Sequence, residues 1–64
     1  MKVKDLKPGD FFTRKPVAEP TEKQVWARCG FDRAQKKYEC MNYEDANRFV
    51  YLKGETEVFT DFIF

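Results

Sequence analysis

The sequence predicts an all-β fold, a small five-stranded barrel built as a strongly bent antiparallel meander. Three observations carry this expectation. Apolar residues recur at every second position over most of the chain, the period of a strand. Prolines, glycines and polar clusters cut the pattern into short runs, as turns between strands do. Aromatic residues make up 17 % of the 64 positions. Each such ring buries ~150–250 Å², which lets a chain that hides only about 60 % of its unfolded surface form a dense core. A charged fraction of 36 % and a mean hydropathy of −0.73 suit a disordered chain. A net charge of +1 beside so many aromatics does not.

The elements follow in order. Leu6 is an apolar anchor, and Lys7-Pro8-Gly9-Asp10 reads as a type II turn, with Pro8 fixing φ and Gly9 supplying a positive φ. A first strand over residues 10–15 follows. KPVAEPTEKQ contains Pro16 and Pro20, which cannot donate ladder hydrogen bonds, so it reads as a long irregular loop. The second strand, QVWARCGF, sets Val25, Ala27, Cys29 and Phe31 on one face and Trp26 and Arg28 on the other. Gly30 interrupts it as a bulge would. A four-residue loop over 33–36 leads into a third strand, KYECMNY. A constant register through that hairpin sets Phe31 opposite Tyr38 and Cys29 opposite Cys40. Asn42 resembles a cap, and Tyr43, Ala46 and Val50 have helical spacing, so one helical turn is expected near 43–47. The fourth strand is RFVYLK. Gly54, left-handed within a three-residue loop over 53–55, then pairs Val50 with Val58 and Phe49 with Phe59 on a fifth strand, TEVFTDFIF, that ends at Phe64.

This order, with one long loop and a helical turn before the end, suits a small SH3-like barrel whose closure limits exposed edges. An open sheet carrying one helix is the competing architecture. There is no repeat, linker or low-complexity tract, so residues 1–64 read as one domain. Leu6, Phe12, Val25, Ala27, Cys29, Tyr38, Cys40, Val50, Leu52, Val58 and Phe62 are the expected core.

LKPGDFF, VW-x-R followed by FDR-x-x-KKY, and YLKG-x-x-EVFTDF together resemble a family of short, uncharacterised bacterial proteins associated with phages and mobile elements. The resemblance spans nearly the whole chain and implies the SH3-like barrel. It implies no activity, because the family has none assigned.

The chemistry open to the chain is limited. It contains no serine and no histidine, which removes serine triads, cysteine–histidine dyads and histidine bases. Two cysteines without histidine cannot form a four-ligand zinc site of the usual kind, and no cofactor or metal is expected. Gly9, Gly30 and Gly54 lie too far apart for a phosphate loop. Asp32, Glu44 and Asp45 are the conceivable catalytic acids, but each sits in an expected turn, where acids serve as caps. No enzymatic role is expected. Cys29 and Cys40 read as small buried hydrophobes and, in a reducing cell interior, as free thiols. No apolar run is long enough to span a bilayer and no leader is recognisable, so a cytoplasmic, non-membrane protein is expected.

What remains is binding. Residues 1–37 carry ten basic and five acidic side chains, and 38–64 carry two and six. Cross-strand ion pairs and a basic patch both account for that asymmetry. The expected function is a binding or adaptor module acting through protein–protein contacts, as a monomer or weak dimer. The Pro16–Val17–Pro20 loop offers it a groove and the DFIF end an edge strand. The alternative is single-stranded nucleic-acid binding, with Trp26 and Tyr51 stacking bases and Arg28, Arg33, Lys36 and Lys37 following the phosphates. The surroundings of Trp26 and Tyr51 discriminate: a basic surface favours nucleic acid, an apolar or acidic one a protein.

Overall fold

The structure is a computed structural model and describes residues 1–63. It is all-β. Four antiparallel strands, β1 (Phe11–Thr13), β2 (Val25–Asp32), β3 (Lys37–Asn42) and β4 (Phe49–Leu52), form one sheet in chain order. The only helical pieces among the described residues are 3-10 turns at Val3–Asp5 and Glu22–Gln24.

The opening turn forms as its residues dictate. Gly9 has φ +92°, and the Asp10 N–H donates to the Lys7 carbonyl at 3.0 Å. The turn is docked on β2, since the Gly9 N–H reaches the Arg28 carbonyl at 2.7 Å and the Arg28 N–H the Asp10 carbonyl at 2.9 Å. The 33–36 loop also forms: β2 and β3 close on the pair Asp32–Lys37, and Asp32 Oδ1 accepts the Ala34 N–H at 2.9 Å.

The register beyond that loop differs from the expected one. Phe31 faces Tyr38 as predicted, but Cys40 faces Arg28 instead of Cys29. The ladder slips between Arg28 and Phe31, where Cys29 and Gly30 form the irregularity. One extra residue inverts the faces of everything on its far side. Trp26 therefore joins the core with Val3, Leu6, Phe12, Cys40, Leu52 and Val58, while Ala27 turns to the opposite face. Both cysteines are free, Cys40 buried and Cys29 half-buried. Burial pushes the Cys40 thiol up to about 11, so it is protonated at neutral pH.

No helical turn forms at 43–47. Asn42 does cap this segment, accepting the Glu44 and Asp45 N–H groups on Oδ1 at 3.0 and 3.2 Å. The chain then turns at once, with the Arg48 N–H donating to the Asp45 carbonyl at 3.0 Å. Asn47 N–H bonding to Asp45 Oδ1 completes a side-chain-stabilised turn in place of a helix.

The expected fifth strand is the largest departure. Residues 54–59 do not pair with β4, and the sheet is not closed. They run along the N-terminal segment, with the Lys4 N–H on the Gly54 carbonyl (3.1 Å), the Val3 N–H on Thr56 (3.0 Å) and the Val58 N–H on Met1 (2.7 Å). Phe59 then makes a single bridge to Thr13. Gly54 is not left-handed; only Gly9 among the glycines has positive φ. Its role is close approach, because a Cβ there would meet Lys4 Cβ and Tyr38 Cε2 at 3.2 Å each. Lys2 and Lys4 donate to the two oxygens of Glu55 at 2.7 and 2.6 Å. Phe62 is half-buried, Ile63 is 77 % exposed, and the expected strand end at Phe64 lies outside the described residues.

Two predictions follow from these contacts. Gly9→Val should cost about 1–3 kcal/mol in urea unfolding because it forces a β-branched residue to positive φ, and Gly9→Asn should cost less. Gly54→Val should cost a similar amount, about 1–3 kcal/mol, through overpacking.

A third prediction concerns acid. The hydrogen bonds from Lys2 and Lys4 hold the Glu55 carboxyl at about 2, against 4.5 for an ordinary glutamate. A carboxylate depressed in the folded state stabilises above its unfolded pKa and loses that contribution as pH falls from 4.5 towards 2. Thermal midpoints of the native chain should drop across that window more than those of Glu55→Gln. Because the group is fully exposed, high salt should erase the difference.

Candidate functional site

The residues singled out in the sequence do not assemble into one surface. Trp26 is only 7 % exposed and belongs to the core. Arg28, on the same face, lays its guanidinium over the Tyr38 ring at 4.7 Å and donates to the Cys29 carbonyl at 3.1 Å. Arg33, Lys36 and Lys37 sit at the β2–β3 loop, where Lys36 takes a positive φ of 57°. Tyr51 lies on the opposite face of the sheet from Trp26, as strand parity requires. Asp32 and Asp45 spend their carboxylates on backbone N–H groups of their own turns.

Two arrangements take their place. The first is on the face opposite the core. Phe11, Ala27, Met41 and Phe49 are cross-strand neighbours in one row over all four strands. Tyr43 meets Phe11 edge-on at 5.5 Å between ring centroids. On β4, Phe49 is 47 % and Tyr51 39 % exposed, two residues apart on one face. Among the described residues β4 pairs only with β3, so it is a sheet edge. The Tyr51 hydroxyl donates to Glu39 Oε2 at 3.4 Å, and the Glu39 charge raises the phenol above its usual pKa. The surroundings of Tyr51 are thus apolar and acidic.

The second is a pocket of about 630 Å³ at the end of β1 and β2. Trp26, Thr13 and Val17 supply its less polar lining, and Arg14, Lys15, Lys23 and Arg48 its charge. No acidic side chain lines it. None of the four cations forms an ion pair among the described residues, all of whose salt bridges lie at the N-terminal segment. Arg48 lies over the Trp26 ring at 5.7 Å, within cation–π reach.

The pocket walls are tied by hydrogen bonds. Asn42, buried at the end of β3, donates from Nδ2 to the Lys23 carbonyl at 3.0 Å, and its N–H reaches the Arg48 carbonyl at 2.9 Å. One side chain and its own backbone thereby place two of the cations. Thr13 Oγ1 donates to the Lys15 carbonyl at 2.6 Å and sets a third. The 3-10 turn bearing Lys23 is closed by Thr21 and Gln24, with the Thr21 N–H on Gln24 Oε1 at 2.9 Å.

The sequence reading groups Trp26 with Arg28, Arg33, Lys36 and Lys37, whereas this pocket brings it beside Arg14, Lys15, Lys23 and Arg48. Arg14 and Lys15 follow β1, Lys23 lies in the 3-10 turn and Arg48 stands before β4, so the four come from three segments far apart in sequence. The one local signal was the Thr21–Gln24 capping pattern, which shows that the loop after Pro20 is ordered. Among the described residues no cluster of His, Cys, Asp or Glu is arranged to hold a metal ion, and no helix is long and apolar enough to cross a membrane. Compared with protein-family models, curated proteins and solved structures, the chain matches none of them.

Proposed function

We propose that the protein is a non-enzymatic binding or adaptor module that acts through protein–protein contacts, with β4 as the docking edge. The observation that carries this reading is the pair Phe49 and Tyr51, exposed side by side on an edge strand. An edge strand presents backbone donors and acceptors to an extended segment of another chain, and alternate side chains on one face give that pairing its selectivity. Half-exposed aromatic rings add apolar area at little conformational cost. Glu39 beside Tyr51 favours a partner segment carrying a basic residue at that position.

The SH3-like barrel belongs to this reading. Its support is the reach of residues 54–59, which bond the N-terminal segment at one end and Thr13 at the other. Cytoplasmic residence belongs to it as well, supported by two free cysteines in so small a chain.

The test is photo-crosslinking in the native host, with a benzophenone analogue of phenylalanine at position 49 and, as control, at exposed position 22. The expected result is one distinct protein joined to position 49 and not to position 22, and lost when Tyr51→Glu is added. Adducts identical at both positions, or only a dimer of this chain at position 49, would overturn the reading.

A further inference from the structure

We infer that the pocket over Trp26 is a binding site for nucleoside phosphates, free or within a single strand. Charge comes first. Four cations converge from three segments on one cavity, with no acid in its lining. Like charges gathered in this way repel one another, and in a chain of net charge +1 that cost is relieved by an anion. Eleven acidic residues are available in the chain, yet among the described residues none forms an ion pair with these four. Lys2 and Lys4, by contrast, share Glu55.

Size and chemistry set the class of anion. A cavity of about 630 Å³ is within the range of small-molecule sites, roughly 300–1,000 Å³, and is far larger than one phosphate group needs. Its lining is mixed: Trp26 and Val17 offer apolar contact and the lysines and arginines contact phosphate oxygens. Arg48 lies over the indole at 5.7 Å, and a guanidinium in a pocket can stack on a base as well as bind phosphate. A ligand with a flat ring beside one or more phosphates matches both parts.

The site is also built and not merely a cluster of mobile side chains. Asn42 fixes the backbones of Lys23 and Arg48 together, and Thr13 fixes Lys15. The pocket lies on the core side of β2, and neither Phe49 nor Tyr51 lines it. The inference is therefore independent of the docking edge and stands or falls separately.

Trp26 is the single tryptophan of the chain and sits in the pocket, so its fluorescence reads occupancy directly. The probes are ADP, a ten-residue oligothymidylate and inorganic phosphate, each titrated at low and moderate salt. The expected result is a saturable change with ADP or the oligonucleotide. Lys23→Glu and Arg14→Glu should each weaken it at least about tenfold, while the exposed Lys53→Glu control leaves it unaltered; circular dichroism verifies that each variant folds. For a strand that engages all four cations, log affinity should fall against log salt with a slope of about −3, and Lys23→Ala should reduce that slope by about 1. ADP binding without oligonucleotide binding assigns the site to free nucleotides, and the converse assigns it to a strand. No saturable change at millimolar ADP and high-micromolar oligonucleotide overturns the inference. So does a change that survives both charge reversals, or one that phosphate alone reproduces at equal affinity.

Discussion

One residue more on β2 than on β3 governs the arrangement of the whole sheet. Cys29 and Gly30 occupy the slip between the pairs Arg28–Cys40 and Phe31–Tyr38. On a strand, a shift of one position exchanges the two faces. Trp26 consequently joins the main core cluster, while Ala27, also buried, faces the other side of the sheet. Arg28 is brought over Tyr38, on the core side, where its Nε is buried without a hydrogen-bond partner. The pocket and the aromatic face both descend from this slip. Without it Trp26 would sit on the same face as Tyr51, opposite Tyr43, and no indole would lie beneath Arg48.

Asn42 has a comparable influence at the other end of β3. It is buried, yet its amide is satisfied through Lys23, Glu44 and Asp45, and its backbone N–H through Arg48. Leaving any of these groups unpaired in the interior would cost about 1–3 kcal/mol, so the two surrounding segments are held where Asn42 needs them. The sheet thus fixes two loops through one polar residue. Those loops carry two of the four cations that face Trp26, which places order at the pocket even though its charged side chains are exposed.

What the sequence made legible was chemistry decided within four or five residues. The Lys7–Asp10 turn, the 33–36 loop, the irregularity at Gly30 and the capping role of Asn42 each rest on a local preference strong enough to prevail. What escaped was counting across a distance. Gly30 is recognisable as a bulge, but a constant register through it sets Cys29 opposite Cys40 and Trp26 on the face away from Cys29, and only the added residue seen in the sheet reverses this. Gly54 was recognisable as special, but whether glycine serves φ or close approach depends on Lys4 and Tyr38, which no local pattern near position 54 reveals. The grouping of cations differs most, because proximity in sequence joins Arg28, Arg33, Lys36 and Lys37, whereas the fold gathers Arg14, Lys15, Lys23 and Arg48 around one cavity.

The uneven charge along the chain acquires a physical meaning from this arrangement. Acids concentrated in residues 38–64 could in principle neutralise the basic first half wherever the halves touch. They do so at the N-terminal segment, where Glu55 engages Lys2 and Lys4 and Glu57 engages the amino terminus. The same return of residues 54–59 that seals the core with Val58 therefore consumes acid at one end of the sheet. At the other end the C-terminal half contributes Arg48, a cation, to a pocket already basic. Neutrality overall is compatible with strong local imbalance because exposed charges separated by more than a Debye length, about 8 Å at physiological salt, scarcely see one another. A molecule about 34 Å long can thus be nearly neutral in sum and still hold an anion at one end.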